Sequence, residues 1–182
     1  MALTATIYNF DIELSDVDRG VYETLAFRVA QHPSETPEFL VTRVLAYCLE
    51  YTEGISFGKG LAEPDEPAIS VRDLTGALRS WIEVGSPDGD RLHRASKASP
   101  RVAVYSVKDA SQLARQLAGS RIHRADSIEI YGIARPLLDD LVACLERRTA
   151  FALAVTDRHL YITVGGRTLD GNVERHALVP LS

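Results

Sequence analysis

The chain has 182 residues, of which 46% are hydrophobic and 25% are charged, and its formal net charge is −5. This composition is that of an ordinary globular protein and excludes disordered and fibrous classes. The length allows a sizeable core without disulfides or a structural metal. Because there is no signal-peptide pattern and no apolar run near the ~20 residues of a membrane span, we expect one cytoplasmic domain over residues 1–182 with no membrane anchor.

The N-terminal thirty residues predict a β-hairpin. Apolar residues alternate through Leu3 and Ile7 and then change phase at Tyr8, which predicts a bulged strand that continues to Leu14. After an acidic turn over 16–20, a second alternating run over 21–30 predicts the antiparallel return strand.

The next segment predicts a helix followed by short strands. Thr36 is a suitable cap, Pro37 suits the first helical position, and Glu38 favours the positive end of the helix dipole. Strand composition over 55–57, 68–72 and 77–84 predicts three short strands, the last of which contains Trp81. The turn over 85–88 then caps a further helix that contains Arg91 and Lys97.

The second half of the chain predicts alternating strands and helices, then strands alone. A strand over 102–107, a helix capped by Asp109, a strand over 127–133 and a helix from Pro136 form a βαβα order. Alternating runs over 151–155 and 160–164 and near 173–179 predict a C-terminal antiparallel meander. The fold class is therefore α/β (α+β), a mixed β-sheet with flanking helices.

The cysteines and histidines predict no metal centre. Cys48 and Cys144 lie on the apolar stripes of two predicted helices, which indicates reduced core residues. The five histidines are scattered and lack zinc-site spacing.

The charge is distributed unevenly along the sequence. Residues 89–124 have a net charge of +6, which leaves −11 for the remainder. Such a stretch is either a solvated face or a surface that contacts phosphate groups. Its basic residues are Arg91, Arg94, Lys97, Arg101, Lys108, Arg115, Arg121 and Arg124.

Acidic residues precede this basic stretch on two predicted neighbouring strands. Glu66, in the acidic segment over 63–67, and Glu83 are 17 residues apart. If the strands pair, both carboxylates lie at one edge of the sheet and can share one Mg²⁺ or Mn²⁺. The alternative is that Glu83 faces water on a half-exposed sheet.

An ordered set of motifs resembles the YaeQ family over essentially the whole chain. These motifs are His32-Pro-Ser-Glu-Thr36, Asp65-Glu-Pro67, Trp81-Ile-Glu-Val-Gly85 and Pro87-Asp88 followed by Arg91. The resemblance implies a compact variation on the PD-(D/E)xK nuclease core, in which a helix, a three-stranded meander, a second helix and a further strand follow one another.

The resemblance also implies roles for individual residues. Pro64-Asp65, with Glu66 beside it, matches the PD element, Glu83 matches the acidic position of (D/E)xK, and Glu38 matches the helical glutamate of such cores. Gly85 stands where the strand lysine is expected. A cation must therefore come from the following helix, from Arg91, Arg94 or Lys97, and the family commonly has lysine at the position of Arg94.

Two classes of function follow. One is a magnesium- or manganese-dependent nuclease, in which Glu66 or Asp65 and Glu83 bind the metal and Lys97 or Arg94 stabilises the transition state. The other is a non-catalytic descendant that binds nucleic acid or a protein partner. Asp88 and Arg91 form either a surface ion pair or a substrate contact. The sequence has no nucleophile-elbow motif of serine hydrolases, no Walker loop and no glycine-rich dinucleotide-binding motif. The sequence leaves the oligomeric state open.

Overall fold

The computed structural model describes residues 4–59 and 65–178, which divide into two compact units. Unit 1 contains residues up to 41 and residues 133–173, and unit 2 contains residues 42–132 and the segment from 174. Glu63 and Pro64 of the predicted acidic segment lie outside the described residues, as do the predicted strand ends Leu3 and Val179. The single domain over 1–182 stays a prediction.

Unit 1 is built on five strands in the order β2-β1-β8-β9-β10. β1 pairs antiparallel with β2 and parallel with β8, and β8, β9 and β10 form an antiparallel meander. The strands are β1 (Thr6–Asp16), β2 (Val21–Gln31), β8 (Arg148–Thr156), β9 (His159–Val164) and β10 (Arg167–Ala177), whose last residues belong to unit 2. The predicted hairpin and C-terminal meander are confirmed.

The bulge predicted for the first strand is wrong. β1 pairs with β2 in an unbroken register from Thr6 to Asp16. Phe10, Ile12 and Leu14 are buried, whereas Ile7 is exposed on the opposite face. The change of phase in the sequence therefore marks apolar residues on both faces of one regular strand, since side chains alternate between the faces.

Two helices accompany these strands. α1 (Pro37–Leu49) begins in unit 1, where Thr36 Oγ1 accepts a hydrogen bond from the amide of Phe39, as a helix cap does. α4 (Arg135–Ala143) buries three leucines. Cys144 follows α4 and is only half-buried, so its predicted place in the core of a helix is wrong, whereas Cys48 is fully buried in α1.

Unit 2 is built on the strand order β7-β6-β5-β4-β3. After the second part of α1 come β3 (Ile55–Phe57), β4 (Ile69–Arg72), β5 (Leu78–Val84), α2 (Gly89–Ala98), β6 (Val102–Ser106), α3 (Ala110–Leu117), a single 3₁₀ turn and β7 (Glu129–Ile133). β3, β4 and β5 pair antiparallel, and β5, β6 and β7 pair parallel. This element order is the one expected from the sequence.

The core of unit 2 positions α2 against β5 and β6. Leu92 and Ala95 of α2 have no exposed surface, and they belong to one apolar cluster with Trp81 and Val104. Because burial of apolar surface drives this packing, α2 is fixed over the end of β5. The described chain is thus a mixed α+β protein with sheets and four α-helices. No helix in its described ranges has the length and hydropathy of a membrane span.

Candidate functional site at the junction of β5 and α2

The turn from β5 into α2 is shaped by glycine and aspartate. Gly85 has φ +109° and donates its amide to the carbonyl oxygen of Tyr105 at 2.9 Å. A side chain at this φ is strained, which is a physical reason for glycine where the nuclease pattern has lysine. Asp88 Oδ1 accepts the amide of Arg91 at 2.8 Å, so Asp88 caps α2 and the predicted ion pair between their side chains is replaced by a cap.

Glu83 is buried and paired with a cation. Its residue surface is only 5% exposed. Glu83 Oε1 accepts hydrogen bonds from Trp81 Nε1 at 2.5 Å and from Arg91 Nε at 2.9 Å. The reading in which Glu83 faces water is therefore wrong, and the cost of burying its charge is offset by a guanidinium and an indole.

Arg91 connects β5 to the loop before β4. Its Nη2 donates to the backbone carbonyl of Glu66 at 2.8 Å, and its guanidinium carbon lies 5.8 Å from the centre of the Trp81 ring. One guanidinium thus contacts the two segments in which the sequence places acidic ligands, but it contacts Glu66 through the main chain. The carboxylate of Glu66 belongs to an exposed residue.

A second, exposed ion pair lies beside the first. Arg94 Nη1 is 3.5 Å from Asp65 Oδ1, and the side chains are 65% and 89% exposed, so the pair contributes little to stability. Asp65, Trp81, Arg91, Arg94 and Ala98 line a pocket of about 200 Å³. The structure therefore brings together four of the residues singled out in the sequence, Asp65, Trp81, Arg91 and Arg94, around one small pocket.

The remaining predicted site residues lie elsewhere. Lys97 is exposed on α2 but does not line the pocket. Glu38 lies in the first turn of α1, in the part of this helix that belongs to unit 1.

Among the residues that the structure describes, the acidic side chains at this junction are not gathered around one point as ligands of a divalent cation are. Within residues 4–59 and 65–178, no three potential ligands from histidine, cysteine, aspartate and glutamate come together. Glu83 already accepts two hydrogen bonds, and a permanently protonated guanidinium lies between its carboxylate and the carbonyl of Glu66. A metal at Glu83 requires Arg91 to move first.

A charged network in the same unit was missed in the sequence. Arg101 Nη1 lies 2.7 Å from Glu50 Oε2, and Arg101 Nε lies 2.7 Å from Glu129 Oε2. Tyr105 donates its hydroxyl to Glu50 at 2.8 Å, and Tyr131 donates its hydroxyl to Glu129 at 2.6 Å. The five residues of this network come from three segments that are distant in sequence, so no local motif predicts it.

Burial and charge pairing shift the pKa values in this network. Burial and the Glu129 carboxylate raise the pKa of Tyr131 to about 12. Burial alone would raise the pKa of Glu129, but hydrogen bonds from Arg101 and Tyr131 outweigh it and lower that pKa. Burial and the Glu50 carboxylate raise the pKa of Tyr105 well above its usual value. The network thus favours a charged Glu129 and neutral Tyr105 and Tyr131.

Some basic residues of the stretch over 89–124 are engaged in contacts within the protein. Arg101 lies between two glutamates, and Arg124 Nη2 donates to the carbonyls of Ser96 and Ser99 at the end of α2. Arg94 and Lys97 remain as exposed basic residues of α2. The phosphate-facing surface expected from the charge count is therefore smaller than the sequence suggests.

The fold and this junction define a class of mixed α+β proteins in which a buried glutamate at the end of a strand is paired with an arginine of the next helix. The family model described as YaeQ protein matches residues 1–173. The chain therefore belongs to the YaeQ family, as its motifs indicate.

Relatives of known sequence and structure agree with this assignment. The YaeQ protein of Escherichia coli (strain K12) is 28% identical over 174 residues, which is 95% of this chain and 96% of that protein. The crystal structure of YaeQ from Pseudomonas syringae is similar with a TM-score of 0.82 and 29% identity, over 94% of this chain and 95% of that one. YaeQ from Xanthomonas axonopodis pv. citri gives 0.81 and 27%, over 97% and 100%.

Proposed function

We propose that this protein is a non-catalytic module with a PD-(D/E)xK nuclease-like core that binds nucleic acid through the exposed face of α2. The observation that carries the proposal is the ion pair between buried Glu83 and Arg91. Because arginine remains protonated in proteins, it balances the acidic residue without a metal and exchanges no proton with a substrate.

The surface around this ion pair supports phosphate binding. Arg94 and Lys97 are exposed on α2, and the Arg94 side chain borders the pocket that contains Trp81 and Arg91. Exposed arginine and lysine side chains supply the sequence-independent part of nucleic-acid affinity, which decreases with salt. The Asp65 partner of Arg94 is exposed and weakly bound, so a phosphate group can displace it at small cost.

Oligonucleotide binding tests the proposal. The affinity of labelled single- and double-stranded oligonucleotides is measured by fluorescence anisotropy at several salt concentrations, for the wild type and for the double variant Arg94→Gln, Lys97→Gln. The salt slope is expected to decrease by about 2, because two phosphate contacts are lost. The matched control, Arg135→Gln with Arg158→Gln, removes the same charge from exposed positions of unit 1. Equal behaviour of the two double variants contradicts the proposal.

The second candidate is a magnesium- or manganese-dependent nuclease. It is favoured by the order of α1, the antiparallel β3-β4-β5 meander, α2 and parallel β6, which is the order implied for the nuclease core. In this candidate Glu83, with Asp65 or Glu66, would hold the metal if Arg91 moved away, and a bound metal would supply activation of water.

Calorimetric titration with Mg²⁺ and Mn²⁺ separates the two candidates. The titration compares the wild type with Glu83→Gln and Arg91→Gln. Metal binding by the wild type that Glu83→Gln abolishes supports the nuclease. Oligonucleotide binding that is unchanged by a chelator, together with no metal uptake by the wild type, supports the non-catalytic module.

A further inference from the structure

The five-stranded sheet of unit 1 has one face that packs into the core and one face that is open to solvent. Phe10, Ile12, Phe151, Leu153 and Ile162 are all buried on the inner face. The residues between them in sequence point to the opposite face, because side chains alternate along a strand. This opposite face, from β2 across to β10, is called the outer face.

One row of the outer face carries small side chains on four of its five strands. The strand register places Thr24, Glu13, Ala152, Thr163 and Thr168 side by side, one from each of the five strands. Ala150 and Ala154 continue the face along β8, where alanine is a poor strand former and none of the three alanines is fully buried. A second surface can therefore approach this row closely, whereas the exposed Tyr22 and Tyr161 project from the neighbouring row of Ser15.

The outer face has charges of opposite sign at two positions along the strands. Asn9 of β1 lies between Arg28 of β2 and Arg148 of β8 in the register. Glu13 lies four residues further along β1, which is about 13 Å away. Asp11, between these rows, is 3.3 Å from Arg148, but the side chains are 46% and 71% exposed and the pair is weak.

We propose that the outer face of unit 1 is the contact surface between two copies of this chain. The copies meet face to face, related by a two-fold axis that lies in the contact plane, runs across the strands and passes the Asp11 row. This symmetry places Arg28 and Arg148 of one copy on either side of Glu13 of the partner subunit, and the reverse. A two-fold axis parallel to the strands would instead place arginines against arginines.

The recess on this face fits an arginine of the second copy. Asp11, Glu13, Thr24 and Ala150 are among the residues that line a pocket of about 310 Å³. Under the proposed symmetry the approaching side chain above Thr24 is Arg28 of the partner subunit, whose guanidinium meets two carboxylates. The arginine of each copy thereby balances the negative charge of the recess in the other copy.

The area that the proposed axis brings together fits a weak dimer. β9 and β10 begin in register with Ile12 of β1, so a two-fold axis at the Asp11 row overlays mainly β2, β1 and β8. Three strands spaced about 4.8 Å apart, over rows 7 to 15 of β1, give about 350 Å² for each copy. The total of about 700 Å² lies below the ~1,000 Å² of a stable specific interface, as for a transient contact. The dimer is thus expected to dissociate on dilution, and high salt weakens it because ion pairs supply its register.

Charge reversal in two separate chains tests the proposal. The variant Glu13→Arg and the double variant Arg28→Glu, Arg148→Glu each place like charges together in their own homodimer, so we expect each dissociation constant to rise about tenfold or more, as a cost of at least ~1.4 kcal/mol implies. In a mixture of the two variants, Arg28 and Arg148 of the first variant meet the native Glu13 of the second. The substituted position 13 of the first meets the substituted positions 28 and 148 of the second, again with opposite charges. Sedimentation velocity with one labelled chain should therefore detect a heterodimer.

Chemical crosslinking gives a second readout that does not depend on the effect of charge on affinity. Ala150 lies on the proposed axis, so Ala150→Cys in a Cys144→Ser background should give crosslinked dimers with a short bifunctional maleimide. Thr156→Cys, exposed on the same strand but away from the axis, is the matched control and should give no crosslinked dimer. A wild type that remains monomeric over the concentration range, a mixture without heterodimer, or equal crosslinking of both cysteine variants overturns the proposal.

Discussion

At the scale of single residues, five side chains of unit 2 form one charged network. Arg101 joins Glu50 and Glu129, and Tyr105 and Tyr131 satisfy further oxygens of the same carboxylates. The two tyrosine rings are stacked with their centres 5.0 Å apart. Because each acidic group has both a cation and a hydroxyl donor, loss of the arginine leaves two glutamates that repel each other in a largely buried place.

The variant Arg101→Met is therefore expected to destabilise the protein by about 2 kcal/mol, less than for a fully buried pair because the arginine side chain is one-third exposed. The free energy of unfolding, measured in urea, checks this value. Arg115→Met, at an exposed position of α3, is the control and should change it by less than about 0.5 kcal/mol. Similar effects of both variants would show that the network contributes little.

The network also predicts how stability depends on pH. The pKa of Glu129 is lowered from its usual 4.5, so its contribution is present above that pH and is lost as the pH falls through the folded-state value. The pKa of Tyr131 is raised from 10.0 to about 12, so its contribution is present below pH 10.0 and is lost as the pH rises towards 12. Tyr131→Phe should reduce the alkaline part of this dependence by the share of Tyr131 and leave that of Tyr105, measured by urea unfolding at several pH values.

At the scale of elements, glycines fix two junctions of unit 2. Gly85 permits the turn from β5 to α2, and Gly54 stands before β3 with φ +88°. A Cβ at Gly54 would lie 1.9 Å from the backbone oxygen of Arg72, whose amide donates to the carbonyl of Gly54. Two backbone segments thus meet where no side chain fits, and this contact aligns β3 with β4.

Gly54→Ala is accordingly expected to cost more than about 2 kcal/mol of stability, from the clash and the positive φ together. Gly76→Ala is the matched control, since Gly76 also has positive φ, +84°, but a Cβ there meets nothing within 4 Å. The difference between the two variants in thermal or urea unfolding isolates the clash. If the two variants lose the same stability, the contact with Arg72 does not limit the position.

At the scale of the whole molecule, both units fold around buried apolar cores without a disulfide. Cys48 has no exposed surface, while Cys144 is half-buried beside Arg167. The two thiols belong to different units. Their environments therefore report on the fold of each unit separately.

A thiol reagent should titrate Cys144 in the native protein and Cys48 only after denaturation, because a buried thiol is out of reach of the reagent. The variant Cys144→Ser should lose the native reaction and keep the reaction seen in denaturant. The free energy of unfolding should be the same with and without a reducing agent. Rapid native reaction in Cys144→Ser would show that the core around α1 opens readily.

Local signals in the sequence determined much of this protein. The Thr36 cap, the alternation in β1 and β2, and the βαβα order after residue 77 are encoded by neighbouring residues, because capping and side-chain periodicity act over a few positions. The same local order identified the junction of β5 and α2, with Glu83, Arg91 and Arg94 in it. It also placed the chain in the YaeQ family.

Only the tertiary structure decided which charges meet. Arg91 pairs with Glu83, Arg101 with Glu50 and Glu129, and Arg124 with the end of α2, so the apparent surplus of basic residues is partly internal. Partner choice depends on packing between segments that are distant in sequence, such as Arg101 and Glu50, which are 51 residues apart. A charge count along the sequence measures how many cations are present, whereas burial and distance decide which of them face solvent.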